Sequence, residues 1–366
     1  LATPFVILVL LAGLGGLSEE LNEASSIDGA NRTQTFFHII LPQLKPTILI
    51  ILVIRLTDAF RIYDLVYILT GGGPGGGTEV LSTFIYKRIF SDWKFGQGSA
   101  AAFLVMLIIC ILSFLCNIWT AITSLKTDVQ MFAIPPDLLP HPATLSHYKE
   151  VLMGNFPAYI RNSILVTFFS CAISLALGVP AAYGFAKYVT EKTKPVFAAV
   201  TAVRMVPPVA MVIPFFLVIR NIHLSDTLLG LIITYIPFEM TLIIWMLKNF
   251  FGQIPREVEE AAELDGLSAW GILLKVVLPM SRSSVGVAGL MAFLFSWNEF
   301  MFALSLTSTK NAQTLTVGIA GYVTSFQTFW GSMSATGILF MIPAFILTFI
   351  FQKDLVKGLT AGAVKG

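Results

Sequence analysis

The chain has 366 residues, of which 56% are hydrophobic and only 12% are charged. Soluble domains average about 25% charged residues, so this composition and a mean hydropathy of +0.81 exclude an ordinary water-soluble protein. The net charge is +2, and no basic stripe interleaved with aromatic residues occurs, so we expect no nucleic-acid partner.

Eight apolar segments are candidates for membrane-spanning helices, each of which needs about 20 residues to cross the hydrocarbon core. They predict an all-α fold, a polytopic transmembrane helical bundle of about eight spans surrounded by membrane lipid. In chain order the segments are 4–17, 46–69, 99–122, 162–186, 196–219, 228–247, 284–305 and 333–352.

The polar stretch 19–42 has a counterpart in 254–279. Residues 23–29 (EASSIDG) match residues 260–266 (EAAELDG), 237 positions downstream, and in each copy a Leu-Pro pair ends thirteen residues after the glycine. Two copies with the same internal spacing are difficult to obtain by chance, and internal symmetry of this kind is informative about architecture.

Each copy of this repeat is predicted to form a polar helix-turn-helix at the membrane surface. In the second copy, Pro255 suits the first helical turn, and the acids that follow lie near the positive end of the helix. Gly266 can adopt a positive φ and turn the chain. The alternative is an ordinary pair of interfacial helices that only connects two spans.

The segment 46–69 carries four charges, Arg55, Asp58, Arg61 and Asp64, which are spaced three residues apart with alternating sign. This spacing stacks them along one face of a helix. Because charges at membrane depth usually face a bundle interior or a wet cavity, this face is a candidate lining of a translocation path. A ladder of structural salt bridges near the outer interface explains the same pattern.

In the second half, polar side chains embedded in apolar sequence are further candidates for a solute path: Glu239, Trp297, Asn298 and Glu299. An aromatic face beside hydrogen-bonding groups suits a sugar ring and its hydroxyls. Helix packing or interfacial anchoring accounts for Trp297 equally well.

The side of the membrane follows from the lysine and arginine counts. After residue 123, alternate polar segments hold ten and five basic residues, and the positive-inside rule places the richer set, with the second repeat, in the cytoplasm.

The sequence has no G-x-x-x-x-G-K-[ST] motif, so we expect no ATP bound through a P-loop and no cofactor bound by this chain. The glycine-rich stretch 71–77 lacks the lysine and hydroxyl of such a loop and is predicted to be a flexible external loop. The three cysteines have no CxxC partner or neighbouring histidine, so no metal site is predicted.

The repeat resembles the EAA loop of permeases of binding-protein-dependent ABC importers, and specifically their carbohydrate group, which includes the maltose permease pair. The motif, Glu-Ala-Ala-x-x-x-Gly with a downstream Leu-Pro, is complete in 260–279, and Ser25 replaces its second alanine in 23–42. Further stretches agree: 69–74 is similar to the glycine-rich stretch of the first subunit of such pairs, and 132–136 and 358–366 are similar to the second subunit.

The resemblance implies a membrane permease of type I importer architecture that is not itself an enzyme. Its partners would be an external solute-binding protein and a separate ATPase dimer, which holds the ATP and Mg, and its location the bacterial or archaeal inner membrane. The EAA loop serves in that family as the coupling helix against the ATPase. This role carries over to Glu23, Ala24, Asp28 and Gly29, and to Glu260, Ala261, Ala262, Asp265 and Gly266.

The resemblance also divides the chain, with residues 1–122 similar to the C-terminal part of a first permease subunit and residues 123–366 to a second. Five candidate spans separate the two EAA loops, although an even number is needed if both are cytoplasmic. We therefore expect that one span is lost near 113–120, and that the remaining spans of the first subunit, or a second permease subunit, complete the transporter.

Two other classes of function are considered. An ion-coupled secondary transporter also has repeats and intramembrane charges, but it has no use for paired surface helices of fixed spacing. A membrane-embedded enzyme is a poorer match, because no Ser/His/Asp, paired catalytic Asp or HExxH arrangement occurs.

Overall fold

The structure is a computed structural model. It describes residues 25, 29–42, 44, 48, 52, 66–67, 70–73, 75–133, 137–188, 190, 193–206, 208–324 and 326–361, apart from the side chains of Arg32, Met205 and 355–361. These residues are mostly helical, with one isolated β-bridge between Val323 and Thr328 and no β-strand in the described part of the chain. The predicted all-α class is confirmed.

Six of the helices are numbered α1 (Phe95–Ser124), α2 (Phe156–Lys187), α3 (Leu228–Phe251), α4 (Arg256–Leu264), α5 (Arg282–Trp297) and α6 (Trp330–Ala361). The shorter α-helices are Arg32–Thr35, Leu81–Tyr86, Asp128–Met131, Ser146–Met153, Thr193–Ala202, Pro208–Asn221, Ala269–Ile272, Leu278–Met280, Met301–Leu306 and Leu315–Ala320. Phe36–Ile40, Lys87–Ser91 and Leu273–Val277 are π-helical, and Val203–Met205 is a 3₁₀ turn.

Within the described residues, four helices are long and apolar enough to cross a membrane: α1, α2, α3 and the part of α6 that runs from Trp330 to Asp354. They coincide with the predicted spans 99–122, 162–186, 228–247 and 333–352. A fifth candidate is the pair Ala269–Met280 and α5, which is bent by 85°. The count of about eight spans is not confirmed, since 4–17 and most of 46–69 lie outside the described residues.

Two predicted spans are interrupted. The segment 196–219 consists of Thr193–Ala202, the 3₁₀ turn and Pro208–Asn221, and Val206 before the Pro207–Pro208 pair is extended (φ −79°, ψ 124°). A proline disfavours helical backbone at the preceding residue, which accounts for the break. The segment 284–305 is divided because α5 ends at Trp297 and the next helix begins at Met301.

The chain forms two compact units, Leu1–Ile122 with Val323–Thr328, and Thr123–Tyr322 with Phe329–Gly366. In the second unit, α2 packs closely against α3: a Cβ at Gly178 would lie 2.9 Å from Ile243 Cγ2. Small residues permit this kind of approach between membrane helices. The closely packed helices α2 and α3 therefore form the support for the segments at their two ends.

Candidate functional site

The second EAA loop forms an elbow, defined as residues 255–280, at the end of the second unit where α2 and α3 terminate. Its first arm is α4, with Pro255 at the N-cap and Glu257 and Glu259 in the first turn. Ala262 is buried in the apolar cluster that also contains Leu247 and Phe251 of α3. The elbow is thus attached to the membrane helices through its second motif alanine and, in its second arm, through Ile272, Leu273 and Val277 of the same cluster.

The remaining motif residues of this elbow face solvent or form its turn. Glu260, Ala261, Asp265 and Gly266 are exposed. Gly266 has φ +80°, as predicted, and the N–H of Leu267 donates to Ala262 O at 3.1 Å, a bond from residue i to i−5 that closes many helix C-termini. The side chain of Ser268 then caps the second arm by accepting from Gly271 N.

The first EAA loop repeats this local geometry at the same offset of 237 residues. Gly29 has φ +76°, Ala30 N donates to Ser25 O at 3.0 Å, and Asn31 Oδ1 accepts from Gln34 N at 2.9 Å. The π-helical turn Phe36–Ile40 corresponds residue for residue to Leu273–Val277. Ser25, which replaces the second motif alanine, is buried as Ala262 is.

The sequence repeat is therefore also a structural repeat, although Glu23, Ala24 and Asp28 lie outside the described residues. The coupling role of both loops stays a prediction at this point.

The second arm of the elbow, Ala269–Met280, meets α5 at 85°. The elbow therefore runs across the direction of the spans rather than along it. Three of its large apolar side chains are exposed, Leu264 at 90%, Trp270 at 62% and Leu274 at 57%. A polar element that exposes such side chains is typical of a surface that another macromolecule covers.

Glu239, a candidate for the solute path, lies at the middle of α3 and is fully buried. The hydroxyl of Ser170 in α2 donates to Glu239 Oε1 at 2.9 Å, and the hydroxyl of Ser296 in α5 also donates to this oxygen. The carboxyl group thereby joins three helices. In this arrangement a solute could contact it only after these helices separate.

The stretch Trp297–Glu299 forms the break after α5. Trp297 is buried, stacks on Phe293 and Phe340 at 5.4 and 5.5 Å, and donates its indole N–H to Phe340 O. The structure thus gives Trp297 a place in helix packing, one of the two interpretations left open above. Its contact with solute stays a prediction.

Glu299 accepts the hydroxyl of Tyr235 at 2.7 Å and the backbone N–H groups of Phe302 and Ala303 at 2.8 and 3.0 Å. It therefore caps the helix that begins at Met301. Asn298 is exposed, and its side-chain amide donates to Leu294 O. Arg55, Asp58, Arg61 and Asp64 lie outside the described residues, so the proposed lining of 46–69 stays a prediction.

The sequence analysis missed one set of residues at the elbow. Lys187 at the end of α2 forms an ion pair with Glu259, at 2.6 Å between Nζ and Oε1, and Tyr183 donates to Glu259 Oε2 at 3.1 Å. Lys187 entered that analysis only as one of the basic residues that set sidedness. No local spacing links it to Glu259, because the two helices meet only in the folded unit.

The family comparison decides the identity of this arrangement. The sequence model described as "Binding-protein-dependent transport system inner membrane component" matches residues 1–124 and 174–360. The chain belongs to this family. Both elbows lie within the matched residues.

Relatives of this permease carry names of transport systems. It is 34% identical over 274 residues to the sulfoquinovosyl glycerol transport system permease protein SmoH of Agrobacterium fabrum, an alignment that covers 75% of this chain and 96% of the relative. It is 37% identical over 232 residues to the trehalose transport system permease protein SugB of Mycobacterium tuberculosis, covering 63% and 85%. It is 32% identical over 267 residues to the trehalose/maltose transport system permease protein MalG of Thermococcus litoralis, an alignment that covers 72% of this chain and 94% of the relative.

Solved structures agree on the fold. A bacterial ABC transporter involved in the import of the acidic polysaccharide alginate has a chain with a TM-score of 0.57 and 25% identity, covering 72% of this permease and 97% of that chain. The same type of transporter in complex with an alginate pentasaccharide-bound periplasmic protein gives a TM-score of 0.51 at 16% identity. The permease is a multi-pass inner-membrane component of a binding-protein-dependent importer, and the ion-coupled alternative is not favoured.

Proposed function

We propose that this permease imports a sugar or sugar-like solute, delivered by an external binding protein, and that it draws energy from a separate ATPase dimer through its two elbows. The observation that carries the proposal is the repeated elbow geometry. Two loops in one chain share a positive-φ glycine, the bond that closes the helix and the π-helical turn. Equal geometry in two copies suits docking into two equal ATPase subunits.

The ATPase partner is inferred from what this chain lacks and what it exposes. Its sequence has no P-loop, so ATP and Mg would be bound elsewhere. The exposed Leu264 and Trp270, with the carboxylates of Glu260 and Asp265 nearby in the sequence, offer apolar and charged contacts to a groove. Such a helix in a groove is a common recognition mode.

The solute class is inferred from the relatives. Their names refer to trehalose, maltose, sulfoquinovosyl glycerol and diacetylchitobiose. These compounds share sugar rings in glycosidic linkage, so we expect a disaccharide or a glycoside.

The two halves are proposed to derive from different subunits, residues 1–122 from the C-terminal part of a first permease subunit and residues 123–366 from a second. The family match in both halves supports this division. The other spans of a first subunit, or a second permease chain, would complete the translocation path.

The test is reconstitution of the full chain in proteoliposomes with the candidate ATPase and binding protein. Uptake of radiolabelled trehalose, maltose and chitobiose is measured together with ATP hydrolysis. We expect ATP-dependent uptake of at least one sugar, and none without the binding protein. Uptake that persists without the ATPase, or that follows an ion gradient, would overturn the proposal.

Gly266→Pro tests the elbow itself. Proline cannot adopt φ +80° and removes the N–H that donates to Glu263 O at 2.9 Å. We expect the rate of uptake to fall at least tenfold, which corresponds to an increase of about 1.4 kcal/mol in the activation free energy. The amount of permease in the membrane should be retained. Glu260→Lys should have a similar effect. Gly266→Asn is the matched control, because asparagine tolerates a positive φ, and it should keep most of the uptake.

A further inference from the structure

The cytoplasmic end of α2 is joined to the elbow by one buried ion pair. Lys187 is the last residue of α2, and Glu259 lies in the first turn of α4. Lys187 Nζ is 2.6 Å from Glu259 Oε1, and the two side chains are only 9% and 12% exposed. Among the described residues, no other polar contact between α2 and α4 is shorter.

Additional hydrogen bonds fix the geometry of the pair. Lys187 Nζ also donates to the backbone carbonyl of Ile254 at 2.9 Å, which precedes α4. The hydroxyl of Tyr183, one turn before Lys187 in α2, donates to Glu259 Oε2 at 3.1 Å. Both carboxylate oxygens are therefore held by α2, and the ammonium group is held at two points near the start of the elbow.

The pair differs physically from the apolar attachment, in which Ala262, Ile272, Leu273 and Val277 are buried in one cluster with side chains of α2, α3 and α5. Apolar contacts are non-directional, so they hold the elbow against the bundle without fixing the position of any one pair of atoms. An ion pair flanked by charge-assisted hydrogen bonds, from Lys187 to Ile254 O and from Tyr183 to Glu259 Oε2, permits little displacement. Because both charges are withdrawn from water, separating them leaves each one uncompensated.

Lys187 belongs to a helix that is closely packed within the unit. On the N-terminal side of Lys187, α2 is packed against α3, with Gly178 against Ile243. Ser170, further from Lys187 in α2, donates to the Glu239 carboxyl group at the middle of α3. A displacement of α4 that keeps the ion pair intact must therefore move the end of α2 as well. The ion pair thus forms a directional connection from the elbow to α2, alongside the apolar cluster.

We propose that Lys187 and Glu259 form a latch, a pair of positioning residues that transmits the movement of the second elbow to α2. This inference rests on the proposed coupling function and adds to it the contact through which the movement passes. The first repeat has Asn22 at the position that corresponds to Glu259. The latch is therefore specific to the second elbow, and the two elbows transmit movement unequally.

The test uses the full chain, reconstituted with its ATPase and binding protein, and measures sugar molecules taken up per ATP hydrolysed. Lys187→Met and Glu259→Gln each remove one charge and keep much of the side-chain volume. The exchange Lys187→Glu with Glu259→Lys restores an ion pair of opposite polarity. Lys149→Met is the matched control, since Lys149 is an exposed lysine outside the elbow.

If the latch transmits movement, each single variant keeps assembly with the ATPase but lowers the ratio of uptake to hydrolysis about fivefold or more, the usual range for coupling between sites. The charge exchange recovers at least half of the loss, and Lys149→Met stays near the wild-type ratio. A role in stability alone would reduce the amount of assembled complex and leave this ratio unchanged.

Unchanged ratios in both single variants would overturn the latch while leaving the proposed function intact. Lowered ratios without recovery in the charge exchange would also overturn it as an ion pair. If the single variants do not assemble, Tyr183→Phe, which removes one hydrogen bond from Glu259 and keeps the ring, decides in their place: the latch requires a lowered ratio. Absence of ATP-dependent uptake by the wild type would overturn the proposed function and the latch together.

Discussion

Glu239 illustrates how this permease handles an ionisable residue within a membrane span. A carboxyl group at that depth is costly unless polar partners face it. Here hydroxyl groups from two other helices donate to one of its oxygens, so the residue joins helices that would otherwise interact mainly through apolar packing. The sequence predicted Glu239 as a candidate for the solute path, but it could not identify Ser170 and Ser296, which are distant in the chain.

Asp226, which lies just before α3, gives a pH-dependent prediction. Burial alone would raise the pKa of its carboxyl group, but the backbone N–H groups of Ser308 and Thr309 donate to Oδ1 at 2.8 and 3.0 Å and leave the pKa lowered. Its stabilising contribution is therefore full above the unfolded pKa of about 3.9. It is lost as the pH falls through the lower folded pKa.

Asp226→Asn tests this contribution. Asp226 has φ 57°, a conformation that asparagine also adopts readily, so the substitution mainly removes the charge. We expect a loss of about 1 kcal/mol near neutral pH, because a bond to a charged acceptor is stronger than a neutral one. The difference in thermal midpoint between the variant and the wild type should shrink below about pH 4. An equal difference at both pH values would contradict the assignment.

At the scale of the elements, hydropathy located the long helices but not the interruptions. The predicted spans 99–122 and 228–247 lie within α1 and α3, since an uninterrupted apolar run has few alternatives in a bilayer. The break in 196–219 could have been recognised from the Pro207–Pro208 pair. The break in 284–305 carries no such signal, and Glu299 within it accepts a bond from Tyr235, which is distant in the chain.

The elbow was predicted more completely than the spans around it. Its repeat, its glycine turn and its Leu-Pro end are local features of the sequence, and the structure reproduces them in both copies. The attachment of the elbow to α2 was not predicted, since nothing near Lys187 in the sequence refers to Glu259. What sequence analysis lacked at both places was the packing of distant helices.

The close approach of α2 and α3 provides a prediction at the scale of elements. A methyl group added at Gly178 would meet Ile243 at 2.9 and 3.3 Å, so Gly178→Ala must push the two helices apart. We expect a destabilisation of about 1–3 kcal/mol, measured as a lower thermal midpoint in detergent. Gly184→Ala in the same helix is the control, because nothing lies within 4 Å of the added methyl group.

Gly184→Ala should be neutral or slightly stabilising, since alanine has the higher helix propensity. Equal effects at the two positions would show that helix propensity, and not the contact between α2 and α3, decides the outcome.

At the scale of the whole molecule, the number of crossings is the central question. Five candidate spans lie between the elbows, and an odd number would place them on opposite sides of the membrane. The helix α1 is a single unbroken element over Phe95–Ser124, at the boundary that the proposed division of subunits also uses. Two elbows on the same side require an even number of crossings between them, in line with the prediction that one span is lost near 113–120.

The side of the membrane on which the second elbow lies is the most direct test of its proposed coupling role. Leu264→Cys, at a position 90% exposed, is introduced after Cys110, Cys116 and Cys171 are replaced by serine, and a membrane-impermeant maleimide is applied to each face of sealed vesicles. Phe326→Cys, 95% exposed in the loop before α6, is the control for the outer face. We predict that Leu264→Cys reacts only from the cytoplasmic face and is protected when the ATPase is bound. Reaction from the outer face, or equal reaction with and without the ATPase, would contradict the account.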